Sequence, residues 1–96
     1  MATSKTFCNF VLEQLSALKE VTCRPMMGEY LLYYNGILFG GIYDNRLLVK
    51  ITENNSKFNL SEVVPYEHAK PMHFVDLEDR EMLSKVVLTT VNDLKN

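Results

Sequence analysis

The dipeptide Asn35-Gly36 lies between the run Tyr30-Leu31-Leu32-Tyr33-Tyr34 and the run Ile37-Leu38-Phe39. A two-residue type I′ hairpin needs positive φ at both central positions, and Asn-Gly meets that need at least strain. Asp44-Asn45 is a weaker signal of the same kind. Together they predict an antiparallel meander over Glu29–Tyr34, Ile37–Tyr43 and Arg46–Ile51. Two-residue turns also fix register. Strict alternation sets Leu31 opposite Gly40 and Gly40 opposite Val49. One face then carries Leu31, Tyr33, Leu38, Gly40, Ile42, Leu47, Val49 and Ile51, the expected helix-covered core. The other carries Tyr30, Leu32, Tyr34, Ile37, Phe39, Gly41, Tyr43, Arg46, Leu48 and Lys50, an aromatic surface fringed by cations. Gly40-Gly41 falls inside a strand, where glycine marks a bulge or the close approach of another backbone.

Helical periodicity brackets this meander. Phe7, Val11, Leu15 and Leu18 form a stripe that predicts a first helix from Thr6 to Val21, capped by Thr3 or Ser4. Leu83, Val86, Val87, Val91 and Leu94 predict a last helix beginning near Glu78, capped by Asp76 with Asp79 near its positive end. Between meander and last helix, Glu53–Leu60 reads as a turn followed by one or two helical turns. Val63–Tyr66 and Pro71–Val75 read as two short strands, each with a proline that an edge strand tolerates. The expected fold is α+β, in the order α-β-β-β-α-β-β-α, with an antiparallel sheet of about five strands and helices on one face. A chain of 96 residues, 47% hydrophobic and 23% charged, is expected to form one domain over 1–96.

The formal charge of −2, spread over interspersed signs, gives no footprint for a phosphate backbone and argues against nucleic-acid binding. The N-terminus MATSKTF lacks a signal-peptide core and no run is long enough to span a membrane, so a cytoplasmic protein without membrane contact is expected. In that reducing setting Cys8 and Cys23 are read as free thiols.

Catalytic and cofactor devices are missing from the sequence. There is no P-loop, no GxGxxG and no GxSxG, and no cofactor is expected. Cys8, Cys23, His68 and His73 are the only soft or imidazole ligands and lack zinc-knuckle spacing, so no metal site is expected. A nucleophilic pair of Cys23 with His68 or His73 has no local signature or orienting acid. In Arg24-Pro25-Met26-Met27-Gly28-Glu29-Tyr30, the proline biases Arg24 away from helix and Gly28 permits a bend. The methionines are expected to fill the junction between helix and sheet.

These residues carry a resemblance. Thr22 to Tyr30, with Leu32-Tyr33, Asn35-Gly36, Leu38-Phe39-Gly40, Leu47-Leu48-Val49-Lys50, Lys70-Pro71-Met72 and Phe74, resembles the N-terminal domain of the TfoX family, named for regulators of bacterial competence genes. The resemblance implies a secretion-chaperone-like α+β fold and a regulatory role. It departs from the family at Met27, where phenylalanine is usual, at Glu29, often a second glycine, and at Val75–Leu77, where a proline commonly opens the last helix. The full-length regulators also carry a C-terminal helical domain, so the expected unit is the N-terminal domain by itself.

Two function classes follow. The first is a noncatalytic regulatory domain whose partner is a second copy or another regulatory protein, with Tyr30, Tyr34, Phe39 and Tyr43 as the interface. The second is a small-ligand or enzyme site lined by Arg24, Met26, Gly28, Tyr30, Lys50 and Lys70, in which Arg24 would grip a carboxylate or phosphate.

Overall fold

Residues 3–95 are described by a computed structural model. Both hairpin turns form where the sequence places them, with φ of 50° and 85° at Asn35 and Gly36 and 51° and 55° at Asp44 and Asn45. Tyr43 and Arg46 exchange both backbone hydrogen bonds across the second. The strands they join are β2 (Glu29–Tyr34), β3 (Ile37–Ile42) and β4 (Leu47–Val49).

A further strand, β1 (Val21–Met26), precedes them, and here the first-helix expectation is corrected. Helix α1 runs only from Lys5 to Gln14, with the Ser4 hydroxyl accepting from the backbone N–H of Phe7. Turn-type hydrogen bonds carry the chain from Leu15 to Val21. The β-branched pair Val21-Thr22 and the restriction Pro25 places on Arg24 then favour extended backbone over another helical turn. Met27 and Gly28 make a third two-residue turn, with φ of 50° and 87°. Gly28 permits the bend as expected. The methionines do not fill a junction: Met27 is 98% exposed at the hairpin tip and Met26 is 37% exposed.

After β4 come a short 3-10 turn at Asn55–Phe58, the two-residue strand β5 (Glu62–Val63), β6 (Met72–Phe74) and helix α2 (Arg80–Lys95). Asp79, not Asp76, accepts from the N–H of Met82 in the first turn of α2, while Asp76 accepts from the N–H of Glu78 before it. The antiparallel sheet has six strands in the order β1-β2-β3-β4-β6-β5. The fold is therefore α+β as expected, with β1 accounting for the additional strand.

The face assignment is partly reversed, and one bulge is the reason. Tyr34 pairs with Ile37 as the turn requires, but Leu32 pairs with Gly40 and Leu31 with Gly41. Phe39 is the extra residue. A bulge changes alternation by one position, so Tyr30, Leu32, Tyr34, Ile37 and Phe39 turn toward the same side as Ile42, Leu47 and Val49. Cys8, Val11 and Leu15 of α1 and Leu83, Val86, Val87 and Val91 of α2 pack in that one cluster. Both helices thus cover a single face, and Leu31, Tyr33 and Leu38 lie on the other.

The double glycine follows from the same geometry. A Cβ on Gly40 would stand 2.2 Å from the Leu48 carbonyl oxygen, and one on Gly41 would stand 2.6 Å from the Tyr30 carbonyl oxygen and 2.7 Å from the Tyr43 ring. Backbone and ring occupy the space a side chain would need, the close approach expected of glycine within a strand.

Candidate functional site

The face of the sheet opposite the helices is not bare. The segment between β5 and β6, residues 64–71, folds back beneath it and encloses a groove of about 620 Å³. Leu31, Leu38 and Gly40 form its floor, Lys50 and Ile51 leave β4 along one side, and Pro65, Tyr66, Ala69 and Lys70 make the facing wall. Tyr43 closes one end, its ring 6.0 Å from that of Tyr66 at 48°. Burial, followed by the proximity of Tyr66 and Glu29, raises the Tyr43 pKa, so its phenol stays protonated and able to donate at neutral pH.

The predicted ligand residues are divided between locations. Lys50 and Lys70 both line the groove. Arg24 pairs with Leu31 across β1 and β2 and therefore shares the uncovered face, one strand out from the groove. Met26, two residues on, lies on that face as well. Gly28 sits in the hairpin turn, and Tyr30, paired with Ile42, packs against the helix-covered core. The six do not form one site.

Arg24, Lys50 and Lys70 make no ion pair with the described residues; the ion pairs present are Glu67 with His68 and Glu81 with Lys85. Glu29, a potential partner for Arg24, is committed elsewhere. Its carboxylate accepts from the Thr3 hydroxyl at 2.6 Å, the Thr3 N–H at 2.8 Å and the Asp44 N–H at 3.1 Å, which ties the start of the chain to two hairpins.

The predicted aromatic interface is corrected. Phe39 is fully buried under the helices, Tyr30 and Tyr34 pack against the same core, and Tyr43 is 7% exposed beside the groove. In the groove lining Tyr66 at 60% and Ile51 at 38% reach solvent, and Phe74 at 38% does so on the same face of the sheet. Alternation could not reveal Tyr66, because it belongs to a connection whose position depends on tertiary folding.

Cys23 and His73 stand on strands four neighbours apart, about 19 Å at ordinary strand spacing, too far for a nucleophile and its base. His73 is instead a core residue, 3% exposed, with neither ring nitrogen hydrogen-bonded. Cys23 has a different neighbour, Cys8, with the sulfurs 3.7 Å apart. Among the described residues, no group of three or more His, Cys, Asp or Glu is placed to hold a metal, and no helix is long and apolar enough to cross a membrane.

A family model described as TfoX N-terminal domain matches residues 13–90, from the end of α1 to within α2. The chain is also similar to a protein of Spirochaeta aurantia described as an uncharacterized 12.7 kDa protein in the trpE 5′ region. The identity is 33% over 78 residues, which span 79% of this chain and 68% of the relative.

Proposed function

The chain belongs to the TfoX N-terminal domain family, and on that premise we propose that it is a noncatalytic regulatory domain, acting in the cytoplasm by pairing with a second copy of itself through the uncovered sheet face. The observation that carries this reading is the apolar character of that face. Tyr66 and Ile51 lie exposed in the lining of a groove floored by Leu31 and Leu38, and Phe74, opposite Leu48, is exposed on the same face of the sheet. Contiguous apolar surface of this kind marks contact sites.

Charge complements the apolar patch. Arg24, Lys50 and Lys70 lie on or beside the face without ion-pair partners among the described residues, while Glu67 of the groove-forming segment is exposed. In a twofold contact each copy presents both signs, so the cations of one can meet the carboxylate of the other. Size-exclusion chromatography with light scattering tests the pairing. The wild type should run as a dimer at high concentration, and Tyr66→Glu, at an exposed position that spares the core, should run as a monomer with an unchanged circular dichroism spectrum. A wild type that stays monomeric at every concentration overturns the reading.

A second reading, a small-ligand site, is favoured by Lys50 and Lys70 lining an apolar groove that has no carboxylate in its wall. It calls for a small anion with an apolar body. In a thermal-shift screen of aromatic carboxylates, stabilisation of the wild type but not of Lys50→Ala would support it, and equal responses would remove it.

A further inference from the structure

Cys8 lies in the first half of α1 and Cys23 in the middle of β1. Cys23 pairs with Leu32, a core residue, so its side chain faces the helices. The two sulfurs stand 3.7 Å apart. A disulfide requires about 2.0 Å between them, so the two sulfurs are neighbours with nothing larger than a bond's approach left to close. We propose that Cys8 and Cys23 are a redox-active dithiol which a small-molecule disulfide converts to an intramolecular disulfide.

Access sets the order of events. Cys8 is 3% exposed, whereas Cys23 is half-buried on a strand at the edge of the sheet. Cys23, as thiolate, attacks one sulfur of the small disulfide; that S–S bond breaks and one thiolate departs with the electron pair. Cys8 then attacks the Cys23 sulfur of the mixed disulfide, gives up its proton to solvent and expels the second thiolate. Two protein thiols are oxidised, and one small disulfide is reduced to two thiols. The new bond fastens α1 to the outer strand, on the side of the sheet away from the groove.

The test uses the full chain, reduced and then equilibrated without denaturant in glutathione buffers of increasing oxidised fraction, quenched by alkylation and read by intact mass and peptide mapping. The wild type should lose two hydrogen masses and yield a peptide linking Cys8 to Cys23. Cys8→Ser should stop at a glutathione adduct on Cys23, and Cys23→Ser should remain largely unmodified. A wild type that accumulates the glutathione adduct without the linked peptide, forms only a disulfide between two chains, or reacts only when denatured overturns the proposal. None of these outcomes depends on the sheet-face reading.

Discussion

Phe39 occupies a position that simple alternation assigns to the face opposite the core, and its complete burial shows how far one residue can redirect a sheet. Its ring is fully buried among Leu32, Ile42, Leu83 and Val87 in the helix-covered cluster. The signal for this was present in Gly40-Gly41, since adjacent glycines within a strand mark a bulge. What the sequence did not carry was the pair of residues between which the register shifts. Cys8 illustrates the same limit: its place on a helical stripe was legible, but a neighbour 3.7 Å away and 15 residues along the chain was not. Burial first, then the nearby Cys23 thiol, pushes the Cys8 pKa from 9.0 up to about 11. Below pH 9 both folded and unfolded states keep this proton, and the stabilising contribution is complete. As pH rises from 9 to 11 the unfolded chain releases the proton first, so that contribution is progressively lost. Urea denaturation of the reduced protein should show a falling midpoint across this window, with a shallower fall in Cys8→Ala. Tyr43, also raised, titrates in both proteins and cancels in the comparison.

Among elements, the turns were the most legible and the first helix the least. Asn35-Gly36 and Asp44-Asn45 state their conformation locally, whereas a helix end depends on what the following residues gain elsewhere. Val21 to Met26 gain a complete ladder against β2, from Val21 opposite Tyr34 to Met26 opposite Glu29. The 3-10 turn was expected at about its observed place, but its anchor was not. Asn55 is fully buried and donates to the Lys50 carbonyl and the Thr90 hydroxyl, each at 2.7 Å, while accepting from the Thr52 N–H at 2.8 Å. One side chain therefore joins the exit of β4 to α2. Asn55→Ala should destabilise the protein by about 2–4 kcal/mol, because it strands buried polar groups as well as removing bonds. Thr90→Val, which keeps the volume, should cost less, and chemical denaturation of both variants checks the order.

For the whole molecule, the fold class and family were readable because periodicity, turn chemistry and a run of matching motifs agree over most of the chain. The groove was not, because it exists only once residues 64–71 lie against the sheet, bringing Lys70 across the groove from Lys50. The division of labour between faces is equally tertiary: one is sealed by two helices, the other is left concave and partly apolar. Since α2 contributes Leu83, Val86, Val87 and Val91 to the single core, a chain ending at Asp79 should lose cooperative thermal unfolding while retaining some strand signal in circular dichroism.

The late position of α2 also bears on synthesis. The meander is complete by Val49, yet α2, the second of the two helices on its core face, begins at Arg80. At translation rates of about 5–20 residues per second, Leu32, Phe39, Ile42, Leu47 and Val49 emerge seconds before α2 does. During that interval the nascent chain has only α1 to set against an aromatic, aliphatic sheet face. The molecule's greatest exposure to mispairing and chaperone capture therefore comes before the mature groove exists, and on the opposite side of the sheet.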